Sequence, residues 1–354
     1  MTHDREEISM TQTSYLQWLD QETPTAWWHD SADPDELAFG LAHGAVGVTT
    51  NPFLSNVALR SRSAYWAAKL GPLPAGLTAE ARAELWMQAV VKHAAGELMP
   101  TYERTAGQQG YVCAQVNPAQ AGNREAMLAM ARRLAAWSPN IAVKLPGTAA
   151  GLDVVEECAA EGITVTLTVS FTVPQVVATA ERYRRGLARA RAAGVKPGRC
   201  FSVMMIGRLD DYLREIAQDC RAGVSEADIR QAGLATVKRA YSIYQAQGYE
   251  ATLLIAALRG VHHMTGLAGA NLIMSIHPSV QAPLLQGGVA RTLGIDEPVG
   301  ADVIERLRTL PEFVRSYEPD GMKPEEFMAF GLTQRTLTQF AESGWKLLET
   351  FQAG

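Results

Sequence analysis

The sequence predicts a (β/α)8 barrel, an α/β fold of eight parallel strands, from three observations. Eight short apolar or β-branched runs recur along the chain, helical segments separate them, and a polar or ionisable residue stands at or near the end of each run. Such alternation repeated eight times closes into a barrel whose active site lies at the C-terminal ends of the strands. A doubly wound open sheet is the alternative, but no GxGxxG follows the first strand.

Residues 1–24 read as a polar tail with a short helix around 15–19. Residues 26–30 (AWWHD) form a compact first strand ending in Asp30. Asp33-Pro34-Asp35 opens a helix, since proline is tolerated in the first turn and acids there interact favourably with the helix dipole, and Gly44 closes it. Residues 46–49 (VGVT) are the second strand and run into Thr50-Asn51-Pro52. From 53 to 110 no strand is evident; apolar residues at helical spacing over 79–106 predict one or two helices inserted in this connection. Residues 111–116 (YVCAQV) are the third strand, and Asn123 caps a helix through 136. Residues 141–145 (IAVKL) are the fourth strand, followed by a helix over 153–160 that Gly162 ends. Residues 163–169 (ITVTLTV), β-branched at nearly every position, are the fifth.

A helix over 174–194 carries an arginine-rich outer face (Arg182, Arg184, Arg185, Arg189, Arg191), read as a solvated face. Residues 199–205 are the sixth strand, with Gly207-Arg208 after it, and 210–247 add extra helical length before the seventh strand at 252–256. A helical segment, 259–266, and the eighth strand, 272–276, complete the pattern; 277–354 are helices and loops. The expectation is one domain over 1–354, with a barrel core of about 26–278 and a helical C-terminal extension over 279–354.

With 354 residues, 47% of them hydrophobic, the chain can bury a large core. A formal charge of −5 offers no footing for nucleic acid or an anionic membrane surface, and no apolar run is long enough to span a bilayer. The first eleven residues are polar, without the apolar centre of an export signal. The four cysteines are scattered without a CxxC pair, which reads as reduced thiols of a cytoplasmic protein.

The fourth strand is apolar except at Lys144. Burial disfavours the charged amine, and a neutral amine in an apolar pocket is the nucleophile of Schiff-base chemistry on a carbonyl. The structural alternative is a lysine whose head reaches the rim and only carries charge. The other strands decide between them. Asp30, Asn51, Gln115, Lys144, Thr168, Arg208, Arg259 and His277 fall at or just beyond successive strand ends. An acid, amides, a lysine, a hydroxyl and two arginines at one mouth suit a carbonyl substrate with an anionic group, and arginine holds phosphate in bidentate fashion. Trp27-Trp28 reads as packing, and Cys113, with no histidine placed beside it, as core. His262 and His263, adjacent on a helix, are expected to point apart with no third ligand at suitable spacing, so no metal site and no cofactor is predicted.

The chain resembles the transaldolase family of Schiff-base aldolases. TTNPFL at 49–54 is similar to the family's TTNPSL-type signature, and VKLPGT at 143–148 with Gly151-Leu152 to its lysine motif. The stretch from Gly162 through Thr168, Phe171 and Gln175, and GRLD at 207–210, also resemble family segments. The resemblance implies a cytoplasmic transferase of carbohydrate metabolism, in the pentose phosphate pathway. It would move a dihydroxyacetone unit from a ketose phosphate to an aldehyde through an imine on Lys144. The alternatives are a fructose-6-phosphate-aldolase-like lyase and a non-catalytic sugar-phosphate-binding barrel.

Asp30 would be the general acid/base, Gln115 and Thr168 would hold the water of imine formation and hydrolysis, and Thr50 and Asn51 would bind substrate near the imine. Arg208 and Arg259 would grip the phosphate. The implied partners are small sugar phosphates, with homo-oligomerisation left open. The sequence departs from the family pattern at five positions. Gln115 replaces the glutamate of most transaldolases, as in the aldolase branch, and Met205 replaces an aromatic residue. Ala257 replaces a serine, and Thr166 and Val203 replace an asparagine and a serine.

Overall fold

The computed structural model describes residues 14–71 and 73–352; the polar stretch before Ser14 lies outside the described residues. Eight strands close into one parallel barrel in chain order: β1 (Ala26–His29), β2 (Gly47–Val48), β3 (Tyr111–Gln115), β4 (Ile141–Pro146), β5 (Val165–Thr168), β6 (Cys200–Met205), β7 (Thr252–Ala256) and β8 (Ile273–Ile276). β8 pairs back onto β1, with Trp28 opposite Ser275. The strands are apolar on both sides because helices cover the outside and side chains fill the inside. Toward the N-terminal end of the barrel, Phe201 meets Trp28 and Tyr111 edge-on, at 4.8 and 5.4 Å between ring centres.

The chain enters through α1 (Tyr15–Glu22). α2 (Pro34–Ala42) joins β1 to β2 and starts where Asp33 caps the amides of Asp35 and Glu36. Three helices fill the β2–β3 connection: α3 (Pro52–Ser61), α4 (Ser63–Leu70) and the long α5 (Ala79–Arg104). α6 (Arg124–Ala135), α7 (Ala149–Ala160) and α8 (Val173–Ala192) alternate with β4, β5 and β6. The arginine-rich face of α8 is an ion-pair seam: Arg182, Arg185 and Arg189 reach Asp153, Glu156 and Glu157 of α7, and Arg191 reaches Glu250.

Two helices, α9 (Ile206–Asp219) and α10 (Glu226–Gln247), lie between β6 and β7, and the short α11 (Val261–Thr265) between β7 and β8. After β8 come α12 (Pro278–Leu285), α13 (Ala301–Leu307), α14 (Pro311–Tyr317) and α15 (Gly331–Phe340). A turn of π-helix, Ala341–Trp345, leads into α16 (Lys346–Thr350). This extension is not a separate layer. α16 packs along α5, where the Phe351 and Trp86 rings meet edge-on at 4.9 Å. Among the described residues no helix is long and apolar enough to cross a membrane.

Candidate active site

A cavity of about 430 Å³ opens at the C-terminal ends of the strands. Asp30, Asn51, Lys144, Thr168, Arg208, Arg259 and His277 line it, so the barrel gathers residues more than 240 positions apart into one mouth. Gln115 and Thr50 are not on its lining.

Lys144 is held by the backbone rather than by an acid. β4 is buried along its whole length, and Lys144 itself is 6% exposed. Its Nζ donates to the carbonyl oxygen of Thr50 at 3.0 Å. The Thr50 hydroxyl is turned away from the cavity and donates to the Cys113 carbonyl at 2.7 Å, so it is not free to bind a substrate hydroxyl. The TTNP stretch therefore serves the lysine through its main chain. Gln115 pairs in register with Lys144, is buried, and has an Oε1 without a partner among the described residues. Cys113 lies one layer below; its thiol is 3.6 Å from the Thr166 hydroxyl, and burial pushes its pKa up, as suits a core residue.

Asp30 ends a chain of hydroxyls. Thr49 Oγ1 donates to Asp30 Oδ1 at 2.6 Å and lies 2.5 Å from Ser275 Oγ. One hydroxyl carries one proton, so with Thr49 donating to the carboxylate, Ser275 donates to Thr49. Neither residue is evident as functional from sequence spacing. The available signal was positional: both fall on strands or strand ends whose pleat faces the interior beside Asp30. Asn51 caps α3 through Oδ1, which accepts from the Leu54 amide at 2.9 Å and leaves the amide nitrogen toward the cavity. Thr168 Oγ1 faces the Met205 thioether at 3.9 Å. Gln175 is a clamp instead of a wall residue: fully buried, its Nε2 donates to the Gly147 and Val169 carbonyls and ties the ends of β4 and β5 together.

The two arginines differ in state. Arg259 is paired with an acid. Its Nε and Nη2 donate to Asp211 Oδ2 at 2.9 and 2.8 Å, and its Nη1 to the Ala257 carbonyl at 2.9 Å. Ala257 holds a left-handed φ of 56°, a strained conformation of the kind that clusters at functional loops. Gly207 is required here: a Cβ on it would lie 2.1 Å from the Ala257 oxygen. Arg208 makes no ion pair among the described residues; its Nη1 donates to Gln339 Oε1 at 2.7 Å. Burial, reinforced by the neighbouring Arg259 charge, holds its pKa below the usual guanidinium range.

Behind this wall, the expectation that His262 and His263 point apart with no third ligand nearby is corrected. Donor atoms of Asp210, His262 and His263 lie within 4.8 Å of one another. The third group comes from α9, more than fifty residues earlier, where sequence spacing could not reveal it. His263 already has both ring nitrogens engaged: Nε2 lies 2.9 Å from Asp210 Oδ2, and Nδ1 accepts the Arg259 amide at 3.2 Å. That is the pattern of a hydrogen-bonded dyad.

Residues 27–351 match the family described as transaldolase/fructose-6-phosphate aldolase. The chain is similar to transaldolase 1 of Streptomyces avermitilis, 32% identical over 65% of this chain and 63% of that one. It is 33% identical to the transaldolase of Thiobacillus denitrificans over 61% of this chain and 63% of that one. It is 28% identical to the transaldolase of Neisseria meningitidis serogroup A over 74% and 80% respectively. The chain thus spans less than two thirds of the length of the Streptomyces avermitilis and Thiobacillus denitrificans relatives.

Proposed function

The chain belongs to the transaldolase/fructose-6-phosphate aldolase family, and from that premise we propose that it transfers a dihydroxyacetone unit from a ketose phosphate to an aldehyde through an imine on Lys144. The observation that carries this reading is one cavity lined by both a buried lysine with no acid partner among the described residues and an aspartate on a separate strand end. Covalent catalysis needs the first, and carbon–carbon cleavage needs the second.

The Lys144 amine adds to the ketose C2 carbonyl, and water leaves to give the protonated imine. Asp30 then takes the proton of the C4 hydroxyl as the C3–C4 bond breaks. The bonding pair moves to C3 and into the imine nitrogen, so the aldose phosphate departs and an enamine remains. C3 of the enamine attacks the acceptor aldehyde, Asp30 returns its proton to the new hydroxyl, and water hydrolyses the imine. The protonated imine is the electron sink, so the cycle needs no metal ion. Thr50 aims Nζ through its carbonyl, Thr49 and Ser275 orient the Asp30 carboxylate, and the Asn51 amide meets substrate hydroxyls. Thr168, with the free Oε1 of Gln115 behind Lys144, offers polar contacts to the water that enters and leaves. The lyase variant of this chemistry shares every step up to the enamine, which is then protonated at C3 and freed when water hydrolyses the imine; Gln115, in place of the glutamate of most transaldolases, is the feature shared with that branch.

Borohydride reduction in the presence of a ketose tests the reading. A stable mass gain on Lys144 is expected, and Lys144→Ala should lose both the adduct and turnover. Activity above about 1% of wild type in Lys144→Ala would remove the imine from the reaction. Product analysis with and without an aldehyde acceptor separates transferase from lyase.

A further inference from the structure

Two tail residues reach into the cavity from the far end of the chain. Gln339 and Phe340 end α15, and both line the mouth that Lys144 also lines. Gln339 Oε1 accepts from Arg208 Nη1 at 2.7 Å, and the Phe340 ring centre lies 5.6 Å from the Arg208 guanidinium carbon. A guanidinium only donates, so the carboxamide must present its oxygen to Arg208. The Gln339 amide nitrogen, on the same carbon, makes no hydrogen bond among the described residues.

The placement of these residues is built in. The turn that follows them is π-helical, a form that recurs at functional sites. Within it Gly344 lies against the first turn of α3: a Cβ there would be 2.8 Å from the Phe53 nitrogen and 3.0 Å from Pro52 Cβ. Pro52 follows Asn51 directly, so the tail is fixed to the same strand end that supplies a cavity residue. Arg208 has no carboxylate partner among the described residues, whereas Arg259 is committed to Asp211. α9, which carries Arg208 in its first turn, begins without a side-chain cap.

We propose that Gln339 is a specificity-determining residue for the anionic end of the substrate. Its oxygen holds Arg208 in place, and its amide nitrogen donates to the oxyanion that Arg208 binds. The ligand chemistry is a tetrahedral oxyanion such as a phosphate monoester: Arg208 supplies charge, and Gln339 supplies a neutral donor. Phe340 packs against the guanidinium and limits its swing. This rests on the reading of the cavity as an imine-forming site for ketose phosphates.

The test uses the full chain with Gln339→Ala and Gln339→Glu, assayed on fructose 6-phosphate and on fructose, and titrated calorimetrically with inorganic phosphate. In Gln339→Ala, KM for the phosphorylated ketose should rise about 2- to 12-fold, the range of one neutral hydrogen bond, while KM for fructose stays within about twofold. In Gln339→Glu the new carboxylate pairs with Arg208, so the rise should exceed about 30-fold and phosphate binding should be lost. Gly344→Ala, which displaces the tail, should shift KM in the same direction as Gln339→Ala. Equal changes for both ketoses, or unchanged phosphate affinity in Gln339→Glu, would overturn the role of Gln339. Failure of the imine reading looks different, because no borohydride adduct would form in the wild-type chain. The phosphate titration would still decide on Gln339 in that case.

Discussion

At the scale of single residues, the two arginines illustrate what pairing does to identical side chains. Both sit where an anion would be held, yet Arg259 has its fork filled by Asp211 and the Ala257 carbonyl, and Arg208 has no carboxylate partner among the described residues. A substrate anion at Arg259 must compete with Asp211; at Arg208 it meets only a neutral amide. Arg208→Ala is therefore expected to raise KM for a phosphorylated ketose by about 10- to 150-fold, the range of a charge-assisted contact, and by clearly more than Arg259→Ala. Kinetics on phosphorylated and unphosphorylated ketoses check this, and a larger effect from Arg259→Ala would reverse the ranking. Asp30 allows a second separation. Asp30→Ala should leave the borohydride adduct on Lys144 intact while turnover falls by about two to four orders of magnitude, the usual worth of acid/base catalysis. Loss of the adduct together with turnover would make Asp30 a structural residue. The places of the arginines, Asp30 and Lys144 on the cavity wall were legible in the sequence because each follows or interrupts an apolar run. Asp211, Thr49, Ser275 and Gln339 were not, because their importance lies in a partner far away in the chain.

At the scale of elements, the junction of α9 and α11 shows why the GRLD stretch was recognisable before its physical role was. Gly207 lets the Ala257 carbonyl approach, Arg208 turns to the cavity, and Asp210 points inward. Asp210 Oδ1 accepts the Gly233 amide of α10 at 2.8 Å, and Oδ2 meets His263 of α11, whose other nitrogen accepts the Arg259 amide. One carboxylate thus ties three helices to the loop carrying Arg259. His263→Leu should leave Asp210 buried with an unmet acceptor, costing about 1–3 kcal/mol of stability. It should also raise KM for a phosphorylated ketose more than for its parent, because the Arg259 loop loses its tie. Urea unfolding and paired kinetics measure both; lower stability with no change in the ratio of the two KM values would confine the dyad to the core. Strand reading fared differently by element. β4 and β6 are runs apolar at every position but Lys144 and Ser202, which made them plain, while β2 shrinks to Gly47–Val48 because α3 starts four residues later. The stretch 259–266 was read as helix, but only Val261–Thr265 is helical, since the Ala257 to Gly260 loop is spent on presenting Arg259.

At the scale of the whole molecule, closing the barrel buries a histidine that has no place in the proposed chemistry. The pleat turns Asp30 inward and His29 outward, into the layer between β1 and the helices. There His29 is fully buried: its Nδ1 accepts from Gln281 of α12 at 2.9 Å, and its Nε2 has no partner among the described residues. Burial, aided by the charge of His277 and opposed by Asp33, pushes its pKa down to about 4. An unfolded histidine titrates near 6.5. Between those values the unfolded chain holds a proton that the folded chain refuses. Stability from this site is complete above about pH 6.5 and is lost as pH falls toward about 4, by up to about 1.4 kcal/mol per pH unit. Gln281 still donates to the Ile276 carbonyl without His29, so the replacement can fold. His29→Leu is expected to flatten the dependence of unfolding free energy on pH between 7 and 5, whatever it does to stability at pH 7. Urea denaturation of both proteins at pH 7, 6 and 5 gives the two slopes. Identical slopes would mean that other groups govern acid unfolding and that His29 gains its proton without opening the barrel.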